Sequence, residues 1–123
     1  MYDDAEAALV EQARVACSSG DWSRAYDMLV GVDARVPLSV QDLRLLAEAA
    51  YAAGHLDATI EAWERAHAQA VRLGDPIAAA GAAARVALHL LMDTALMAPI
   101  RGWVKRAERL LVGQEETPIH AWL

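Results

Sequence analysis

Cysteine, lysine and phenylalanine are scarce in this sequence, and their scarcity limits what the protein can be. Cys17 is the only cysteine among 123 residues, which excludes an intrachain disulfide and a cysteine-rich zinc site. Phenylalanine is absent, and Lys105 is the single lysine beside ten arginines. This bias indicates a GC-rich gene and says little about function.

Positive charge is also in deficit. The formal net charge is −6 and the isoelectric point is about 5.1, which argues against nucleic-acid binding driven by phosphate contacts. The N-terminus, Met1–Asp4, lacks the basic start of a signal peptide. The most apolar region, 76–97, is interrupted by Arg85, His89 and Asp93, which indicates a buried helix and not a membrane span. We therefore expect a cytoplasmic protein that binds neither nucleic acid nor membranes.

Motifs that carry catalysis or hold a cofactor are missing. The sequence has no phosphate-binding glycine loop, no dinucleotide-binding glycine pattern, no metalloprotease motif and no nucleophile elbow. Cys17 has no local histidine or cationic cluster that would mark a nucleophile. We expect no enzymatic activity, no cofactor and no metal site. The four histidines fall on separate predicted elements, without a second ligand one helical turn away: His55, His67, His89 and His120.

The sequence is rich in helix-forming residues. Apolar residues make up 56 % of the chain, and many are alanine, which costs least in a helix and lets helices approach closely. Asp3 or Asp4, Asp21 and Ser39 are the expected N-caps. This predicts an all-α fold in a single helical-repeat domain over 1–123. Its units are three helix pairs at approximately 3–36, 39–73 and 76–113, followed by the start of a seventh helix at 117–123.

Two glycines, Gly20 and Gly54, lie 34 residues apart, each between two apolar helical runs. Glycine at such a place lets a helix end through a left-handed cap. A helix–turn–helix period of this length resembles the tetratricopeptide repeat. The resemblance implies a right-handed solenoid of three helical hairpins plus the start of the seventh helix. The large residues expected in its core are Trp22, Leu29, Leu46, Trp63 and Trp103.

A second resemblance rests on four segments: Ala62–Ala66, Gly74–Pro76, Gly102–Leu111 and His120–Leu123. Together they are similar to a helical-repeat segment of large actinobacterial LuxR-type transcriptional regulators. In those proteins DNA binding belongs to a separate helix-turn-helix domain. The resemblance therefore implies a sensing or protein-interaction segment of a bacterial regulator.

The leading helix of each pair lines a concave groove in tetratricopeptide-like arrays, and a ligand would be expected there. Three of the groove residues are arginines, whose guanidinium groups present paired donors to a carboxylate. Tyr51 would supply an apolar contact. Nine residues are predicted to face this groove: Val10, Arg14, Cys17, Gln41, Arg44, Glu48, Tyr51, Arg85 and His89.

Local ion pairs are the competing interpretation of these arginines. Exposed pairs of this kind contribute only about 0–1 kcal/mol. They would leave the arginines occupied and the groove without a charged ligand. The pairs predicted from helical spacing are Arg14 with Glu11, Arg44 with Glu48, and Glu61 with Arg65.

Three functions are compatible with these observations. The first is a non-catalytic segment that binds a protein or peptide partner in the groove. The second is a self-association module that makes a homodimer of its parent protein. The third is a sensor of an anionic small molecule. The apolar start of a helix at 117–123 leads us to expect that the chain continues in a longer protein or that another subunit covers this end.

Overall fold

The computed structural model describes residues 1–92, and all regular secondary structure in that range is helical. Residues 76–92 are helical and form α5. The chain divides into two compact units after Ala87, and the hydrophobic core of the described residues lies in the first unit. The predicted all-α fold is confirmed for the described residues. The four helices that precede α5 are α1 at Asp4–Ser18, α2 at Trp22–Asp33, α3 at Val40–Ala52 and α4 at Leu56–Arg72.

The first three helices begin where the sequence predicts, because a side chain caps each of them. Asp3 accepts a hydrogen bond of 2.7 Å from the Glu6 amide, and the Glu6 carboxylate accepts one of 2.9 Å from the Asp3 amide. This reciprocal capping box satisfies two amides that would otherwise lack a partner in the helix. Asp21 and Ser39 each accept from the amide three residues later. α4 differs, since His55 stands at its N-cap without such a bond.

Three helices end in the same turn, built around a glycine. Gly20, Gly54 and Gly74 have φ values of +82°, +87° and +71°. At each turn the amide that follows the glycine donates to the carbonyl of an alanine five residues earlier, at 2.8, 2.8 and 2.9 Å. This bond defines the Schellman motif, in which a left-handed residue closes the helix. The left-handed caps predicted at Gly20 and Gly54 are therefore confirmed.

The core repeats at equivalent positions of α2 and α4. Leu29 and Trp63, which lie 34 residues apart, are both buried, and so are Ala25 and Thr59. The pairs follow their respective glycine turns by the same number of residues. α2 and α4 therefore present their buried faces in the same phase, and successive helices α1 to α4 pack against one another.

The other predicted core and groove residues agree with the structure only in part. Leu46 is buried as expected, whereas Trp22 is only partly buried and packs against the rim of the core. Val10 was predicted to face the groove, but it is 3 % exposed and belongs to the core. It shares a helical stripe with Ala13, which is fully buried, so that stripe of α1 faces the interior. Trp103 lies outside the described residues.

Arg65 joins the two helix pairs, in a way that the sequence did not predict. Its two terminal nitrogens donate to the Asp33 carboxylate at 2.6 and 2.8 Å, where the helical spacing predicted a pair with Glu61. The hydrogen bonds from Arg65 lower the pKa of Asp33 below its ordinary value, although burial opposes the shift. Asp33 also accepts from the Leu38 amide at 3.3 Å. The pair thus ties α4 to the link between α2 and α3.

The right-handed solenoid, the single domain and the count of seven helices stay predictions. The expected break at Asp93–Ala95, the helix ending at Gly113 and the helix start at 117–123 lie outside the described residues. Within residues 1–92, none of the helices combines the length and the apolar character that crossing a bilayer requires.

The glycine turns give a matched test of backbone conformation. A methyl group added at Gly54 or at Gly31 would meet no atom within 4 Å, so a difference between them reports φ alone. We expect Gly54→Ala to lower the free energy of unfolding by about 1–2 kcal/mol, because an L-residue resists the left-handed region. Gly31→Ala, inside α2, should raise it by up to about 1 kcal/mol. Urea unfolding of the full chain measures both, and effects of the same sign would contradict the assigned turn.

Candidate functional site

α1 and α3 contact each other, and the carboxylate of Asp42 lies at their junction. Asp42 is 3 % exposed and accepts hydrogen bonds from Tyr2 Oη at 2.7 Å, Ser39 Oγ at 2.9 Å and Arg14 Nη2 at 3.1 Å. The Tyr2 hydroxyl accepts a further bond of 2.9 Å from the Ser39 amide. The start of α3 is thereby held to α1 and to the residue before the α1 cap.

The phenol of Tyr2 remains a hydrogen-bond donor over the physiological pH range. Burial raises its pKa, and the hydrogen bond that it donates to Asp42 raises it further. Both causes favour the protonated form, because an ionised phenolate would lose hydration and face a carboxylate. The Asp42 junction therefore keeps its donors as the pH changes.

A cleft of about 480 Å³ opens beside the Asp42 junction. Its walls are Arg14 of α1 together with Gln41, Arg44, Leu45 and Glu48 of α3. Four of these five residues were predicted to face a groove. Leu45 was missed because the predicted stripe followed the polar residues of α3, and this partly buried side chain adds an apolar wall. We call this feature the α1–α3 cleft.

Arg14 is held on both sides by carboxylates. Its Nη1 lies 3.1 Å from Glu11 of the same helix, which confirms the predicted local pair. Its Nη2 lies 3.1 Å from Asp42 of α3, which the sequence did not predict. The side chain of Glu11 is 66 % exposed and that of Asp42 is 4 % exposed. Arg14 is therefore a structural tie at the edge of the cleft, with much of its charge already balanced.

Arg44 is placed differently from the prediction. The expected pair with Glu48 is not among the ion pairs of residues 1–92. Instead, the guanidinium carbon of Arg44 lies 6.0 Å from the centre of the Trp63 ring, and that of Arg85 lies 5.2 Å from the same ring. Both distances are within the range of cation–π attraction. We call these three residues the Arg44–Trp63–Arg85 cluster.

The remaining predicted groove residues fall into different environments. Cys17 is partly buried, and burial followed by the nearby charge of Glu48 raises the pKa of its thiol. Tyr51 is about half exposed on α3. His89 is buried and belongs to the part of the chain after Ala87, so it is not assigned to the cleft.

The cleft offers charge, hydrogen-bonding groups and a small apolar surface. The raised pKa keeps the Cys17 thiol protonated near neutral pH, which makes it a poor nucleophile. Among residues 1–92 no three histidine, cysteine or acidic side chains come together in a geometry that could hold a metal ion. The chemistry present on these walls suits recognition of a partner.

The comparisons with known proteins add no family assignment. No protein-family model, no curated protein and no solved structure matches the chain. The function of the cleft is therefore inferred from its own residues.

The two acids that contact Arg14 provide a matched pair of substitutions. We expect Asp42→Ala to lower the free energy of unfolding by about 2–3 kcal/mol, since it leaves a tyrosine hydroxyl and a guanidinium without their buried acceptor. Glu11→Ala removes the exposed partner of the same arginine and should cost less than about 1 kcal/mol. Urea unfolding at neutral pH measures both. Equal losses would show that Asp42 is not the centre of the junction.

Proposed function

We propose that this chain is a non-catalytic helical-repeat segment that binds a protein or peptide in the α1–α3 cleft. The observation that carries the proposal is the 34-residue echo between the two helix pairs. The echo includes the glycine turns at Gly20 and Gly54 and the buried residues Leu29 and Trp63. Stacked helix pairs of this kind form extended surfaces that are used for binding. The contact between α1 and α3 supports the same arrangement, because leading helices are neighbours in such stacks.

We further propose that the segment is the regulatory or sensing part of a LuxR-type bacterial transcriptional regulator. This part of the proposal rests on sequence resemblance. Two of the segments that carry it, Ala62–Ala66 and Gly74–Pro76, lie among the described residues. The first contains the core tryptophan and the second contains the turn after α4. DNA binding would belong to another domain of the parent protein, in keeping with the net charge of −6.

Blocking the cleft tests the binding function. Peptides would be selected from a displayed random library against the immobilised full chain, and their affinity would then be measured by calorimetry. Gln41 is exposed on the wall of the cleft, so Gln41→Trp should fill the space that a peptide needs. We expect the selected peptides to bind this variant at least about tenfold more weakly, a loss of about 1.4 kcal/mol.

The matched control for this variant is Gln12→Trp. Gln12 is exposed on α1 and lies away from the cleft, on a hollow between α1 and the α1–α2 turn. It adds the same ring without touching the cleft, and the affinity should stay unchanged. Failure to select any peptide, or equal affinity for wild type and Gln41→Trp, would refute binding in the cleft.

Self-association is a second candidate function, favoured by an exposed apolar corner between α4 and α5. Val71, Leu73 and Ile77 are 58 %, 69 % and 85 % exposed, and Val71 also lines a hollow of about 360 Å³ around the turn. Adjoining exposed apolar residues often mark an interaction site. A symmetric dimer would bury this corner against itself.

Sedimentation of the full chain over a range of concentrations tests self-association. If the corner forms the interface, the chain should be a dimer at micromolar concentration, and Ile77→Glu should shift it to a monomer because the carboxylate would be buried. Val15→Glu is the control, since Val15 is 61 % exposed on α1 and should leave the mass unchanged. A wild-type monomer at every concentration would rule out this function.

A further inference from the structure

We infer that the partner of the α1–α3 cleft is an acidic peptide segment, and that Arg44 and Arg85 are the residues that select its carboxylates. This inference rests on the proposed function and adds the chemistry of the partner. It depends on how the Arg44–Trp63–Arg85 cluster differs from the other charged groups of residues 1–92.

The first difference is that the two arginines are not neutralised by an acid. Within residues 1–92, no carboxylate oxygen lies within 4 Å of either guanidinium group. Arg14 and Arg65, in contrast, are each held by at least one carboxylate. The positive charge that remains beside the cleft is therefore that of Arg44 and Arg85.

The second difference is that both arginines share one aromatic ring. Arg24, Arg35 and Arg72 are also exposed, but within residues 1–92 no ring contact places them beside an aromatic side chain. Trp63 is 2 % exposed, so it is a fixed element of the core. A guanidinium held against such a ring loses less freedom when it binds a carboxylate, and its N–H donors point along its edge.

Sharing the ring also keeps two positive charges near each other. The guanidinium groups cannot be farther apart than the sum of their two distances from the ring centre, 6.0 and 5.2 Å. Like charges at such range repel, and an anion placed beside both relieves that repulsion. An acidic side chain is thus the ligand group that the cluster fits.

The size and charge of the cleft favour a peptide over a nucleic acid or a single small anion. From Gln41 to Glu48 the wall covers two turns of α3, about 10 Å at 1.5 Å per residue. That length fits about three residues of an extended peptide, more than one carboxylate needs. Glu48 and the net charge of −6 oppose a polyanion such as nucleic acid.

Calorimetry with two designed peptides tests the inference on the full chain. One decapeptide carries two adjacent glutamates in a background of alanine and serine, and its twin carries two glutamines. We expect the acidic peptide to bind at least about tenfold more tightly, because charge-assisted hydrogen bonds are about twice as strong as neutral ones. This preference should shrink at high salt, which screens the charges.

Substitutions then assign the preference to the cluster. Arg44→Gln and Arg85→Gln should each weaken the acidic peptide by about tenfold and leave the glutamine peptide nearly unchanged. Arg24→Gln is the control, an exposed arginine of α2 outside the cleft. It should bind both peptides as the wild type does. Far-ultraviolet circular dichroism and the melting temperature of each variant show whether it is folded.

The outcomes separate this inference from the proposed function. Equal affinity for the two peptides, or no effect of Arg44→Gln and Arg85→Gln in folded protein, would overturn the acidic preference. Library-selected peptides that still require an open cleft would then leave the binding function standing. If succinate alone binds as tightly as the acidic peptide, the site is a small-anion site and the peptide inference is overturned. If no peptide of any composition binds, both proposals fail.

Discussion

The chain reverses direction through left-handed glycine caps, and the arrangement of the described residues follows from them. A helix that ends in such a cap places the next residue against a carbonyl of its own last turn, as at Gly20, Gly54 and Gly74. The start of the following helix is then set in position and rotation. Because two of these turns lie 34 residues apart, the residues that follow them at equal distances are buried together. Leu29 and Trp63 occupy such equivalent positions.

Polar contacts over long sequence distances then join the helix pairs. Asp42 gathers hydrogen bonds from Tyr2 and Arg14, and Asp33 holds Arg65 of a helix in the next pair. Buried carboxylates of this kind are retained only where enough donors surround them. Each contact also fixes the position of a helix whose packing surface is largely alanine, which by itself allows neighbouring helices to slide.

The cleft and its charges are a consequence of the same packing. Arg14 is occupied because α3 brings Asp42 beside it, whereas Arg44 and Arg85 face the ring of Trp63 from α3 and α5. Trp63 thus acts in two ways, as a buried core residue and as a surface on which two cations rest. A core residue with this second contact links the stability of the helix pair to the charge displayed in the cleft.

The sequence by itself determined the helices and the places where they stop. Caps at Asp3, Asp21 and Ser39, and turns at Gly20 and Gly54, depend on groups within a few residues of one another. Periodicity also identified Leu29, Leu46 and Trp63 as core residues, and spacing along α3 identified most of the cleft wall. Local hydrogen bonding and helical period are properties that a linear sequence states directly.

Only the tertiary structure decided the partners of the charged residues and the burial of particular positions. Asp42 has the sequence context of an ordinary first-turn acid of a helix, yet it is buried because Tyr2, 40 residues earlier, and Arg14 reach it. Val10 belongs to the core because the packing of α1 turns that stripe inward. Arg65 bonds to Asp33, although Glu61 lies closer to it along the chain. Helical spacing shows which residues share a face, but which face meets another helix depends on how the helices pack in three dimensions.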